Sequence, residues 1–261
     1  QRATDYFRSA SAEDRRYLLY NPMVKMKVPT QGEEVINLLW DVIAARGFEK
    51  DVYFEMAAKD IRSLPKLEGT VHVNMALIIK FIANYFFNPA EFPEIPKRDD
   101  PADDEFLFNQ GPTKGLGKIQ FHDYNIAYNS VDTPNINVFK EQIKAFTDFL
   151  VNAAPSKEQA QNIDFLLTIG ELFTLVAYGQ LIIEKYNMEK FDDDLMEQIF
   201  DFMVRDFSKY ALEVYYKRDS SEKQQEMCLK MLRKPVVDYD RFDRFWKNHV
   251  YALRDTYEMN K

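Results

Sequence analysis

AAKDIRSLPKLEGTVHVNMALIIKFIANYFF, residues 57–87, joins two helical patterns through a short linker that carries an acid. Pro65 ends the first helix, because the residue before a proline is pushed out of the α region. Beyond the linker, Val71, Val73, Ala76, Leu77, Ile78, Ile79 and Ile82 put apolar side chains nearly all round a second helix. Such a helix is predicted to be buried. Glu68-Gly69-Thr70 then sits at the mouth of that helix. Gly69 permits a positive φ or a close backbone approach. Thr70 is the predicted N-cap. A carboxylate half removed from water at Glu68 would have its pKa moved toward neutrality and could act as a base. The plainer reading is that Glu68 complements the positive end of the helix dipole.

The helical theme extends in both directions. Asn21-Pro22 reads as a helix start, with proline at the first helical position. Residues 23–45 follow with inward Met26, Val35, Leu38, Leu39, Val42 and Ile43; Pro29 is expected to kink or divide them, and Gly47 to cap the end. The helix before Pro65 is predicted over residues 51–64. Residues 88–110 carry Pro89, Pro93, Pro96 and Pro101 with the acidic run Asp99, Asp100, Asp103, Asp104 and Glu105, a linker composition. Residues 111–132 are irregular. Gly111, Gly115 and Gly117 follow no strand and lack the spacing of a nucleotide loop. Helices are predicted again over 135–154, from a cap at Ser156 to about 187, over 192–217, 222–233 and 238–259. The last carries a stripe of Phe242, Phe245, Trp246, Val250 and Leu253, read either as an interface or as bundle core. The expected class is all-α, divided as a helical domain over 1–88, an irregular linker over 89–131 and a helical extension over 132–261.

Composition bounds the function. With 261 residues, 46% apolar and 29% charged, the chain is globular and large enough for a sizeable core. A net charge of −8 argues against a nucleic-acid partner. The single cysteine, Cys228, allows no internal disulfide and suits a reducing, cytoplasmic setting. His72, His122 and His249 are scattered, so no metal site is expected. The longest apolar run, 165–183, contains Glu171 and Gln180 and reads as a core helix rather than a membrane span. The start at Gln1, without a signal pattern, is expected to be a cut within a longer chain.

Gly47-Phe48, Glu55, Lys59-Asp60-Ile61-Arg62 and Leu67-Glu68-Gly69-Thr70 together resemble the C-terminal helical domain of the acyl-CoA dehydrogenases. The family pattern is Gly-Gly-Asn-Gly-aromatic, a later Glu, an Arg-Asp pair, and aromatic-Glu-Gly-Thr. The match runs without a gap over residues 41–70. The segment after Asn88, with GELFTLVAYGQLIIE and FMVRDFSKYALEVYY, resembles the extension of the long, very-long-chain-like bacterial members.

That resemblance implies roles. Glu68 falls on the base that removes the α-proton of a fatty acyl-CoA, giving a trans-2-enoyl-CoA with FAD as the hydride acceptor. Leu67 and Gly69 fall beside the substrate. Thr70 and His72 fall where the family contacts FAD, and Asp41, Ala44 and Ala45 where a Gln-x-x-Gly-Gly segment meets the FAD pyrophosphate of a neighbouring subunit. An electron-transfer flavoprotein and a homodimer or larger homo-oligomer are the implied partners. The chain departs from the pattern at Asp41, at Ala44 and Ala45, at Leu67 in place of an aromatic, at His72 in place of Gln, and at Lys59 in place of Arg. The family's N-terminal helical and middle β domains have no counterpart here, so the piece alone is expected to be inactive. An inactive helical subunit derived from the family is the competing reading. A DNA-associated relative is disfavoured by the acidic charge.

Overall fold

In the computed structural model, residues 1–50, 53–101, 104–112 and 114–256 are described, and helices account for all their regular structure, with no strand among them. The order is α1 (Arg2–Arg8), α2 (Tyr17–Ile43), α3 (Tyr53–Ser63), α4 (Val71–Ile78), α5 (Ile82–Phe87), α6 (Glu105–Asn109), α7 (Asn125–Asn129), α8 (Pro134–Asn152), α9 (Ile163–Glu189), α10 (Asp193–Tyr216), α11 (Glu222–Met231) and α12 (Tyr239–Phe245). The fold is all-α, as the periodicities predict.

The apolar run of residues 165–183 becomes the axis of the fold. It lies within α9, which packs against α1, α2, α4, α7 and α10. A helix apolar on every side needs neighbours on every side, and two glycines let them come close. A Cβ at Gly170 would lie 2.3 Å from Met75 Sδ on α4, and one at Gly179 would lie 2.4 Å from the Tyr128 hydroxyl on α7. Among the described helices α9 alone is long and apolar enough to cross a membrane, and 72% of its apolar window is buried within the fold.

One continuous core takes residues from Ala3 to Met231. Residues 1–88 and 132–261 both enter it. The intervening stretch is largely irregular, yet it contributes Ile95, Ile119, Phe121, Ala127, Tyr128 and Val131. Buried amides tie the bundle where apolar contact cannot. Gln142 donates from Nε2 to the carbonyls of Val204 (3.1 Å) and Met231 (2.9 Å), joining α8, α10 and α11. Each such bond contributes about 0.5–1.5 kcal/mol net.

Several boundaries differ from expectation. Pro22 and Pro29 both lie inside an unbroken α2. An interior proline costs ~3 kcal/mol, and packing of α2 on α1, α3, α4 and α9 offsets it. The start of α2 is Tyr17, earlier than the Asn21-Pro22 signal. Gly47 is not a left-handed cap; it is buried beneath Trp40, whose Nε1 would lie 2.8 Å from a Cβ there. The predicted start of the next helix at Asp51 lies outside the described residues, and α3 is described from Tyr53. The cap of α9 is Asn162, accepting from the Phe165 N–H at 3.3 Å, while Ser156 Oγ accepts from the Gln159 N–H at 3.2 Å in a preceding turn.

The C-terminal stripe is not core. Asp238 caps α12 by accepting from the Arg241 N–H at 2.9 Å, and the helix gives way to a π turn at Trp246–Val250 and a 3-10 turn at Tyr251–Leu253. The segment is held by its polar side. Arg241 pairs with Glu197 at 3.2 Å and Arg244 with Asp194 at 2.8 Å, both acids on α10. Phe242, Trp246, Val250 and Leu253 consequently face water, and the predicted end at Met259 lies outside the described residues.

Candidate functional site

The linker after α3 is shaped by short-range bonds. Leu64–Lys66 forms a 3-10 turn with Pro65 in its first positions. Lys25 Nζ, on α2, donates to the Leu64 carbonyl at 2.8 Å. Lys66 Nζ donates to Glu33 Oε1 at 2.5 Å and to the Arg62 carbonyl at 2.7 Å. Leu67 is extended, and the chain then turns through two successive positive φ values, 34° at Glu68 and 81° at Gly69. Gly69 adopts its conformation freely; Glu68 does so against its own Cβ.

Thr70 stands at the N-cap of α4 with φ −60° and ψ 165°, as predicted, but its hydroxyl makes no capping bond. Asn74, four residues on, donates from Nδ2 to the Gly69 carbonyl at 2.8 Å.

This geometry corrects the expectation that Glu68 is half-desolvated. Its carboxylate is exposed and, among the described residues, makes no hydrogen bond or ion pair. Leu64 and Leu67 beside it are 45% and 54% exposed. The helix that follows is buried on one face only. Met75 and Ile78 point inward, while His72, Val73 and Ala76 face water. Glu68 therefore stands in water at the rim of an uncovered apolar surface.

A further apolar stripe lies along α2, where Val35, Leu38, Leu39 and Val42 are all exposed. At its far end lie Asp41, Ala44 and Ala45, also exposed. Ala44 has φ 51° and ψ −134°, a conformation that favours glycine. An open cavity of about 670 Å³ is lined there by Asn37, Trp40, Asp41, Ala44, Phe48 and Arg62. The Trp40 and Phe48 ring centroids are 4.7 Å apart, and the Arg62 guanidinium lies 4.7 Å over Trp40 while donating to Asn37 Oδ1 at 2.7 Å. The cavity thus offers flat apolar walls, one cation and one opposing acid. The linker leading to Glu68 is held to α2 through Lys25 and Glu33, and the cavity is lined by Asn37 to Ala44 further along the same helix and by Arg62 on the last turn of α3.

Arg62 enters the sequence reading only as the basic end of the Lys59–Arg62 motif, with no role given to it, and Asn74 has no signature of its own. Each is identified by what it touches across a turn or a helix pair. A second cavity, about 370 Å³, lies between α1, α7 and α9 and also lacks a local signal. There Glu184 accepts from Arg2 Nε (2.7 Å), the Tyr6 hydroxyl (3.0 Å) and Gln180 Nε2 (2.7 Å). Burial pushes the Tyr6 hydroxyl well above its ordinary pKa, so this phenol stays a neutral donor. The bonds saturate Glu184 and tie α1 to α9.

Among the described residues no group of three or more His, Cys, Asp or Glu is placed to hold a metal ion. Burial pushes the Cys228 thiol up to about 12, leaving it unreactive at neutral pH. The chain matches no protein-family model, no curated protein and no solved structure.

Proposed function

We propose that this chain is the C-terminal helical part of an FAD-dependent acyl-CoA dehydrogenase, with Glu68 as the base that removes the α-proton of a fatty acyl-CoA. The observation that carries the reading is the unpaired Glu68 carboxylate, held on a positive-φ turn at the rim of an exposed apolar surface. A thioester α-proton is weakly acidic. Its removal needs a base free of competing partners, a donor near the thioester oxygen, and exclusion of water. Glu68 has the free carboxylate. Its own backbone N–H, presented by the turn, is the donor the resemblance implies. Leu64, Leu67 and Val73 provide apolar surface for the remaining part of the enzyme to cover.

The residues implied for FAD fit it in part. The Thr70 hydroxyl is not spent on capping. Arg62 supplies a cation beside the Trp40 and Phe48 rings, and Ala44 keeps a glycine-favoured backbone where the resemblance expects glycine. Asp41 in the same cavity opposes a pyrophosphate, so Arg62 would be the charge partner and Asp41 would turn away. FAD, when bound, supplies the hydride acceptor. An electron-transfer flavoprotein as oxidant and assembly into a homo-oligomer belong to the same proposal.

Glu68→Gln in the longest native polypeptide that contains this chain tests the reading. The variant is expected to keep flavin and fold but to lose acyl-CoA-dependent bleaching of the flavin band by at least about 10²-fold, the scale of a positioned general base. Bleaching at the parental rate would remove Glu68 from the mechanism. Asp41 and the Ala44-Ala45 pair favour a second reading, a flavin-free helical subunit that keeps the scaffold. It predicts a colourless native protein of this chain's mass.

A further inference from the structure

The turn that holds Glu68 has two anchors. Toward α2, Lys25 and Lys66 fix residues 62–66. On the other side, among the described residues, the backbone at Glu68 and Gly69 has no bond from α2, and Glu68 sits at φ 34°, which its Cβ disfavours. A non-glycine residue keeps such a φ only when its surroundings over-determine it. The side chain that does this is Asn74. Its Nδ2 lies 2.8 Å from the Gly69 carbonyl, and its amide packs beside the turn, so that a Cβ on Gly69 would lie 3.3 Å from Oδ1 and 3.5 Å from Nδ2. Only the nitrogen of the amide can face a carbonyl oxygen, so the orientation is fixed by chemistry. The backbone N–H of Asn74 also donates to the Thr70 carbonyl at 3.0 Å. One residue thus joins the first turn of α4 to the residue before its cap.

We infer that Asn74 is a positioning residue for Glu68, holding the Glu68-Gly69 turn in its positive-φ form through the Gly69 carbonyl. This rests on the reading of Glu68 as the base. The bond fixes the Gly69 peptide plane. With the plane fixed, the preceding residue's carboxylate and backbone N–H keep one direction relative to α4. Without it, Glu68 can relax to negative φ, swinging its carboxylate away from a substrate α-carbon. No atom of Asn74 needs to touch substrate. Its amide does not titrate, so it acts on geometry and not as an acid or base.

Two variants and two measurements test this. Asn74→Asp keeps the shape but cannot donate to the Gly69 carbonyl; Asn74→Ala removes the amide. In the chain itself, both are expected to let Glu68 relax to negative φ, lengthening its own HN–Hα distance and weakening that NOE by about 3-fold, with the NOE pattern of α9 unchanged. In the native dehydrogenating polypeptide, both are expected to lower kcat by ~10- to 100-fold while KM for acyl-CoA stays within about 2-fold, the pattern of a misplaced reacting group. An unchanged Glu68 HN–Hα NOE would overturn the inference, because the turn would then hold without Asn74. A weakened NOE with an unchanged kcat would overturn it as well, because the turn's geometry would then not matter to the reaction. Failure of the base assignment is separable. It shows as absence of dehydrogenation in the parental protein, or as persistence of activity in Glu68→Gln, before any change at Asn74 is made.

Discussion

Helices α8 to α11 and the α2–α3 pair use the same apolar vocabulary and reach opposite ends. In the first region Phe139, Phe146, Phe200 and Phe207 are fully buried and meet edge to face, with Phe139 and Phe207 centroids 5.5 Å apart. In the second, Leu38 is 67% exposed and Val42 79%. Burial is worth roughly 25 cal/mol per Å² of apolar surface in either place, but only one region has realised it. Contiguous exposed apolar surface on a protein marks a surface that something else covers. An apolar stripe in a sequence therefore states that a cover exists; it does not state that the cover lies within the chain.

The sharpest way to break this comparison is to truncate one residue from each region. Phe139→Ala is expected to cost about 3–5 kcal/mol, the usual loss for a buried aromatic. Leu38→Ser, at an exposed site, should change the stability of this chain by less than about 0.5 kcal/mol. Urea denaturation of both variants decides it. A comparable loss at Leu38 would mean that α2 is covered in solution and that the two regions do not differ.

An intermediate effect is expected at the junction of α2 with the turn that follows. Ala44 holds φ 51°, where its Cβ is strained and glycine is not. Ala44→Gly should raise stability by ~1 kcal/mol by removing that strain, partly offset by the greater freedom of glycine when unfolded. A lower urea midpoint in the variant would show that Ala44 does not occupy this conformation in solution.

The smallest effect sharpens the contact between the two regions. Burial raises the pKa of Glu171 on α9, and Glu213 adds to the shift, while Lys27, a hydrogen bond from Tyr210, and Lys209 act in the other direction. A carboxyl whose folded pKa is raised supports the fold below its ordinary value of 4.5 and loses that support as pH rises through the folded value. Parental stability should therefore fall more steeply from about pH 4.5 toward neutrality than that of Glu171→Gln. Urea midpoints measured across that interval give the answer. Parallel profiles would mean that Glu171 titrates as it does in water.

Much of the fold was legible because periodicity and local chemistry act over a few residues. Pro65, the helix start at Asp192, whose Oδ1 accepts from Asp194 and Leu195 N–H groups at 2.7 and 3.2 Å, and the apolar core helix α9 all read directly. The failures share a cause. Pro29 sits in a continuous helix because partners distant in sequence hold α2 straight. The faces of α4 and of the C-terminal stripe look buried from their composition, yet one is half covered and the other is docked by its charges. At the site, Glu68, Gly69 and Thr70 stand out in order and spacing. Asn74 does not, because an asparagine in the first turn of a helix has many uses, and only the position of the Gly69 carbonyl selects one.

The central place of α9 has a consequence for how the chain comes off the ribosome. Helices α1, α2 and α4 all lean on α9, which begins at residue 163. Until that residue and those after it have emerged, Tyr20, Met23, Met75 and Ile78 lack the wall that buries them in the finished fold. Contacts so far apart in sequence form late, and exposed apolar segments of this kind are where nascent chains aggregate. The interval between emergence of α1 and emergence of α9 is thus the one in which this protein depends most on chaperones, and a stop within it should yield an insoluble product.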